Sequence, residues 1–390
     1  MGYLIGGAGD GPEQEIVQSD KDYSKLTDAQ LLKLRDQTVK DIAKFNNFQM
    51  VRKICLNSAY GAIGNQYFRY FKLANAEAIT LSGQTSIRWI ENRLNKYLNE
   101  LLKSDSDYVI AVDTDSVYLN LGPVVDKFLS KQKDDKEKVV NLLDKICHDQ
   151  LEPYIDKCYN ELADYVNAYD QKMQMKRENI ADRGIWTAKK RYILNVWDSE
   201  GVRYSEPKLK IMGIEAVKSS TPQVCRDKIK DALKLIMNGD ENDLNDFIQD
   251  FRKEWMDMEP TAIAFPRSCN GMDKWSSRNG VYLKGTPMHV KGALIYNHQL
   301  KDKKLTKKYP LILDGEKIKF VHLKDPNPYQ CNAFTFITEC PTELDIAKYV
   351  DYEKQFEKSY VEPLKFITNA IHWHIDESYG TQATLMDFFN

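Results

Sequence analysis

Apolar positions along this chain follow two patterns. From Ala76 to about Leu102 they return every three or four residues, which predicts one long amphipathic helix. Thr27-x-x-Gln30 reads as a capping box, and Leu31, Leu34, Ile42 and Phe45 keep helical spacing behind it. Asn46-Asn47 is expected to break or bend that helix, with a second helical stretch over 48–58 that ends at Gly61 and Gly64. The other pattern is the short continuous apolar run. Residues 108–121 place apolar, β-branched runs on either side of the polar step Asp113-Thr114-Asp115-Ser116, the pattern of two antiparallel strands meeting at a tight turn. A second strand signal begins after Trp186-Thr187-Ala188-Lys189-Lys190, passes through Tyr192 to Trp197, turns at Asp198-Ser199-Glu200-Gly201 and returns from Val202. Residues 127–179 read as mainly helical. Helix returns at Thr221, expected as N-cap, with Pro222 at the first helical position. A domain boundary is expected near 215–220. The aromatic run Tyr67-Phe68-Arg69-Tyr70-Phe71 reads as core packing.

Composition narrows the class. With 390 residues, 42% hydrophobic and 29% charged, the chain is expected to be a soluble globular protein of two or three domains. No apolar run reaches membrane-spanning length and no secretory leader is visible, so no membrane partner is expected. The Cys residues at 55, 147, 158, 225, 269, 331 and 340 form no C-x-x-C pair. That pattern points to reduced thiols in a cytoplasm-like compartment and away from structural zinc. His372 and His374 flank Trp373 and read as chance packing. The formal net charge is −2, yet the cations cluster: residues 284–319 carry nine Lys against Asp302, Asp314 and Glu316, while 231–259 is rich in Asp and Glu. Residues 1–20 are Gly-rich, then acidic, and miss both phosphate-loop spacings; they read as a lead-in or a contact strand for another chain.

Candidate chemistry sits on three short stretches. Two carboxylates at a strand rim, Asp113 and Asp115, call for a cation, and an oxygen-only ligand set with phosphate nearby favours Mg²⁺. Taken alone, the same residues read as a plain hairpin turn. Lys53, Asn57 and Tyr60 fall on one helix face, where a cation, an amide and a ring can meet a phosphate, a sugar and a base edge in line. Lys189, Lys190 and Arg191 put three cations at the mouth of a hairpin, suited to a run of phosphates. Phe388 and Phe389 at the end of the chain suit a partner's apolar pocket.

In combination these stretches resemble DNA polymerases of family B. Lys53-Ile-Cys-Leu-Asn57-Ser58-Ala59-Tyr60-Gly61 is similar to motif B, Asp113-Thr114-Asp115-Ser116 to motif C, and Lys189-Lys190-Arg191-Tyr192 to the K-K-R-Y element, in the family's order. The resemblance runs from about Asp22 to Asn390 and is nearest the T-even phage branch, including Glu215-Ala-Val-Lys-Ser-Ser-Thr-Pro222. It implies an α+β chain: a partial fingers at 21–65, an incomplete palm sheet at 66–215, a mainly helical thumb at 216–380 and a tail at 381–390. It implies that Asp115 is a metal ligand with Asp113 in support, and that Glu178 lies near two Mg²⁺ ions. Lys53 would bind the incoming deoxynucleoside triphosphate. Asn57, Ser58 and Tyr60 would sit at the nascent pair, and Lys189, Lys190, Arg191 and Tyr192 would hold primer–template DNA. Gln382, Leu385, Phe388 and Phe389 resemble the peptide with which replication proteins dock on a sliding clamp.

Two departures stand out. Val112 replaces the Gly usual before the Asp pair. No D-x-x-S-L-Y-P-S motif occurs anywhere in the sequence, and the first fingers helix and the exonuclease motifs are absent too. The expected function is therefore that of a C-terminal polymerase chain, inactive alone and completed by a separate N-terminal chain. The alternative is a non-catalytic module that binds DNA and the clamp.

Overall fold

The computed structural model describes residues 23–129, 135–277 and 281–376. The Gly-rich lead-in and the clamp-type tail with Gln382, Leu385, Phe388 and Phe389 lie outside the described residues. The chain divides into two compact units: one holds residues up to Ile180 together with Asp198–Arg203, the other holds Ala181–Trp197 and everything from Tyr204 on. Helices and small sheets are mixed in it, as the α+β expectation requires.

The first unit opens with helix α1, Asp28–Ile63, 36 residues long. Its capping box forms as expected: the Gln30 amide donates to Thr27 Oγ1, and Gln30 Oε1 accepts from the Thr27 amide. The expected break at Asn46-Asn47 does not occur. Asn costs a helix only a few tenths of a kcal/mol relative to its neighbours, so two of them do not stop one. Gly61 stays helical and Gly64 supplies the C-cap. No residue of α1 is buried. The aromatic run that follows is exposed, with Tyr67 at 88% and Tyr70 at 68%, so it is not core.

Helix α2, Leu73–Leu102, does supply core, burying Ile87, Ile90, Leu94 and Leu98 along one stripe. Strands β1, Val109–Asp113, and β2, Ser116–Leu119, pair antiparallel with Asp113 opposite Ser116 and a register shift between Val109 and Ala111. Helix α3, Gly122–Phe128, is short. Helix α4, Lys136–Ile146, runs through a π-helical turn, Cys147–Leu151, into α5, Glu152–Tyr165. After Tyr165 the expected helix gives out, and residues 168–178 are irregular. Helix α5 is fixed to α2 by the Trp89 indole donating to the Cys158 carbonyl at 3.0 Å and by Tyr97 stacking on Tyr154 at 4.4 Å.

Strands β3, Asn179–Ala188, β4, Arg191–Ser199, and β5, Val202–Met212, form a sheet in that order. Two-residue links make them antiparallel. β3 was not expected from the sequence: its first four residues are all buried, so it lacks the alternation of a half-exposed strand.

The second unit continues with α6, Gln223–Asn238, and α7, Glu241–Met256. Pro222 itself occupies the N-cap of α6, and Thr221 makes no side-chain cap there. Asp240 and Asp243 form a capping box on α7. Then come α8, Pro260–Ile263; β6, Phe265–Ser268; α9, Met272–Trp275; α10, Met288–Asp302; β7, Lys317–His322; and β8, Ala333–Phe336. β6, β7 and β8 form an antiparallel sheet within a region read from sequence as mainly helical. α10 lies backbone-close on β8, since a Cβ at Gly292 would stand 2.4 Å from Thr335 Oγ1. Helices α11, Tyr352–Phe356, and α12, Glu362–Thr368, close the unit over an aromatic centre in which Phe251 meets Tyr360 edge-on at 4.7 Å.

Candidate functional site

The hairpin turn is built so that its carboxylates stay at the rim. Thr114 takes a positive φ of 55°, and the Asp115 amide donates to the Asp113 carbonyl at 2.6 Å, tightening the corner. Thr114 Oγ1 donates to Asp113 Oδ1 at 3.1 Å. Asp113 is half-buried and Asp115 exposed. Beneath them Val117, Tyr118 and Leu119 are buried and anchor β2. β1 is tied to α2 by one side chain: Asn95 Oδ1 accepts from the amides of Tyr108 at 2.8 Å and Val109 at 3.1 Å. The hairpin is thus a fixed platform carrying acceptor oxygens. Burial, with the Asp115 charge next in weight, pushes the Tyr159 phenol up to about 12, so that ring stays neutral beside the turn.

Carboxylate oxygens suit Mg²⁺, and Asp113 and Asp115 fit as donors on one side of such an ion. Among the described residues no three His, Cys, Asp or Glu side chains converge as a metal cluster, so Glu178 does not complete one with this pair. Glu178 stands half-buried at the entry to β3, its carbonyl accepting from the Glu200 amide at 2.6 Å.

Lys53, Asn57, Ser58 and Tyr60 are all exposed on α1. The Tyr60 hydroxyl meets the Thr80 hydroxyl of α2 at 2.8 Å, and Thr80 is itself held by the Ala76 carbonyl at 2.9 Å. Asn57 and Lys53 stand about one and two turns before Tyr60 on the same face, both exposed.

In the second unit, Lys189 and Lys190 form the β3–β4 turn, both exposed, with Lys190 at φ 61°. Arg191 does not face outward with them: its guanidinium grips Glu215 through two bonds, at 3.2 and 2.8 Å, and Lys218 adds a third at 2.9 Å. Lys218 and Arg191 hold the Glu215 carboxyl below the usual carboxylate range despite a burial penalty that acts the other way. Tyr192 is buried, its ring tilted against Trp186 at 6.1 Å. Two of the four K-K-R-Y side chains are therefore presented and two brace the turn. Sequence pattern alone does not separate these roles.

The Lys-rich segment divides as well. Lys308 pairs with Glu343, Lys291 donates to Asn332, and Lys319 donates to the Thr261 carbonyl. Lys301, Lys303, Lys304 and Lys307 are exposed around the end of α10. What the sequence did not disclose is a lattice of Arg177, Arg203, Asp144 and Asp198. Its members are spread over sixty positions and carry no spacing signal.

A family model described as DNA polymerase family B matches residues 28–267. The chain is 35% identical over 356 residues to the DNA-directed DNA polymerase of Enterobacteria phage T4, covering 88% of this chain and 39% of the relative. It is 37% identical over 356 residues to that of Escherichia phage RB69, covering 88% and 38%. A 184-residue stretch is 24% identical to the DNA polymerase beta of African swine fever virus, covering 46% and 14%. The chain spans about two fifths of the length of the phage relatives it matches. Among the described residues no helix is long and apolar enough to cross a membrane.

Proposed function

The chain belongs to DNA polymerase family B, and on that premise we propose that it is the C-terminal portion of a template-directed DNA polymerase whose active face is completed by a separate N-terminal chain bearing D-x-x-S-L-Y-P-S. The observation that carries the proposal is α1. A helix of 36 residues leaves every side chain at least partly open, including Val51 at 58%, Ile54 at 55% and Leu56 at 73%. Helices of this kind draw most of their stability from burying an apolar face, so α1 requires a cover. The hairpin supports the same reading. β1 and β2 form a sheet of only two strands among the described residues, and Ile110 of β1 is 46% exposed at the register shift. Two strands alone are marginal, and an open apolar edge invites a third.

In the assembled enzyme Asp115 and Asp113 would hold Mg²⁺ together with carboxylates from the partner, while Glu178 does not converge on this pair among the described residues. Two such ions, when bound, neutralise charge on the reacting phosphate and lower the cost of deprotonating the primer hydroxyl. The chain's own residues align the rest. Lys53 takes the triphosphate, Asn57 and Ser58 line the approach, and Tyr60, steadied by Thr80, backs the nascent base pair. Lys189 and Lys190 grip the primer-strand phosphates, with Arg191 and Tyr192 stiffening their turn. Alignment and charge are most of what phosphoryl transfer asks of a protein. Residues 382–390 dock on a sliding clamp through Gln382, Leu385, Phe388 and Phe389, and the compartment is the cytoplasm, the host's if the protein is viral.

The test is primer extension with Mg²⁺ and four deoxynucleotides, by the purified chain alone and with an N-terminal chain of the family added. Synthesis only with both supports the proposal. Robust synthesis by the chain alone overturns the split arrangement.

A further inference from the structure

We propose that Arg267, with His289 beside it, receives a phosphate of the nucleic-acid backbone; the proposal rests on the reading of Lys189 and Lys190 as cations that grip DNA. Arg267 lies on β6 and is half-buried. Its guanidinium stands over the Phe265 ring at 5.6 Å. Phe265 stacks on Phe320 of β7 at 5.2 Å, and the His289 ring, at the start of α10, tilts against Phe320 at 6.3 Å. Arg267 and His289 therefore share one aromatic platform.

The Arg267 fork is half used. Arginine carries five N–H donors, two of them on Nη1. Nη1 donates to the Ser220 carbonyl at 2.6 Å and to the Pro266 carbonyl at 2.9 Å. Nε and Nη2 meet no acceptor among the described residues. That is an edge with which a guanidinium takes two oxygens of one phosphate in parallel. The His289 ring makes no hydrogen bond among the described residues either; Thr335 reaches only its carbonyl.

Charge is unbalanced in the same place. Arg177, Arg191 and Arg252, each mostly buried, each hold a carboxylate. Among the described residues Arg267 holds none, and burial alone pulls its guanidinium below the ordinary value, where a carboxylate would push it up. Burial, with the Arg267 charge next, lowers His289 as well, so the imidazole is neutral and keeps one N–H to donate. An uncompensated half-buried cation costs stability, and an anion from outside supplies what is missing. Ser220 ends a stretch that begins at Gly213, and a Cβ on Gly213 would stand 2.1 Å from the carbonyl of Lys190. Gly213 and Ser220 are seven positions apart in sequence. That is a reach of at most about 25 Å, or about seven steps along one strand of a duplex. Two cation sites within that reach suit one polyanionic strand. A free phosphate would need only one of them.

Arg267→Met is the working variant: it keeps an apolar stem over Phe265 and removes the fork. Fluorescence anisotropy of the full chain with a labelled primer–template duplex reads the affinity. It should fall about tenfold, and the log–log salt slope should fall by about 0.9, the share of one phosphate. A single uncharged methylphosphonate, walked along each strand, locates the contact. One position should weaken the wild type and leave Arg267→Met indifferent. A second position, within about seven steps of it, should do the same for Lys190→Ala. Arg267→Lys, charged but without the fork, should regain the slope and only part of the affinity. The denaturant midpoint of Arg267→Met should match or exceed that of the wild type, because an unpaired charge is gone. A lowered midpoint with unchanged duplex affinity overturns the inference, since Arg267 is then only a tie for Ser220. It falls too if no methylphosphonate distinguishes the two proteins. Pyrophosphate binding that is lost in Arg267→Met, with duplex affinity intact, assigns the fork to a free anion and overturns the strand assignment. The double variant Lys189→Ala, Lys190→Ala separates the claims: unchanged duplex affinity there removes the underlying reading, whereas a loss there and none in Arg267→Met removes this inference alone. A wild-type chain with no duplex affinity overturns both.

Discussion

A Cβ placed on Gly213 would stand 2.1 Å from the carbonyl oxygen of Lys190. Both residues have positive φ, 66° and 61°. The turn carrying Lys189 and Lys190 is thus seated directly on a glycine in the left-handed region, and the backbone itself sets the height at which the two cations stand.

Gly213→Ala should therefore act on DNA binding through the turn. The side chain meets backbone that cannot step aside, and the left-handed conformation adds strain of about 1 kcal/mol. Weaker primer–template affinity is expected, with triphosphate and metal dependence unchanged. Fluorescence anisotropy with labelled duplex measures it, and wild-type affinity would mean that the turn does not bear on DNA.

Asp115→Ala should abolish nucleotide addition in the assembled enzyme. Removing a ligand from a two-metal centre costs on the order of 10³-fold or more. Duplex binding should survive, because the exposed carboxylate supports none of the buried hairpin contacts. Single-turnover extension gives the rate and anisotropy the affinity. Asp113→Ala should also impair synthesis, and there some loss of hairpin order is expected as Thr114 loses its acceptor.

Lys53→Ala should weaken use of the incoming triphosphate far more than duplex affinity. Lys53 lies one helical turn before Asn57 on a fully exposed stretch, so its removal disturbs no packing. A raised KM for every deoxynucleotide with unchanged duplex affinity is the expected pair of results. The reverse pair would move Lys53 to the DNA-binding surface.

These sites differ in how far the sequence disclosed them. The hairpin and α2 were legible because two apolar, β-branched runs around a polar step and a three-to-four repeat each leave one fold for the segment. The cap at Thr27 was legible because a capping box is local. The aromatics at 67–71 were misread because ring content says nothing of whether a neighbour exists to bury them. α1 was cut in two because Asn46-Asn47 looked like punctuation, although neither residue forbids helix. β3 was hidden by being buried on both faces at its start. The grouping of Lys189 and Lys190 as presented cations, against Arg191 and Tyr192 as braces, depends on Glu215 and Trp186, which only the folded chain brings to them.

His322 gives the second unit a pH dependence of its own. Its ring packs against Phe320 at 5.8 Å and Phe265 at 6.2 Å, and Nδ1 meets no hydrogen-bond partner among the described residues. Burial, with Lys354 and Lys358 adding to it and Asp351 and Glu362 opposing, lowers its pKa from 6.5 to about 4. The folded state thus resists a proton that the unfolded chain accepts. The neutral ring's full stability is present above pH 6.5 and is lost as pH falls from there towards 4, by up to roughly 1.4 kcal/mol per unit. His322→Phe should flatten that part of the stability curve. Denaturant midpoints at pH 7 and pH 4.5 measure it, and an equal drop in both proteins would assign the dependence to other groups.

The final prediction concerns α1. A helix of about 54 Å by its residue count lies uncovered along its length, tied to α2 near its end through Tyr60 and Thr80. Beyond its first turn its amides donate along the helix, yet protection from exchange depends on how rarely those bonds open, and an uncovered helix opens locally at little cost. In the isolated chain, amides over residues 31–56 should exchange orders of magnitude faster than those of α2 near Ile90 and Leu94, which are fully buried. Addition of an N-terminal chain that covers the apolar faces around Ile42, Phe45, Val51 and Ile54 should slow that exchange strongly, and Ile54→Asp should undo the slowing while leaving α2 protection intact. Mass-spectrometric exchange on the free and assembled proteins reads all three. If α1 is as protected in the free chain as α2, its stability is intrinsic and the argument that it needs a cover falls.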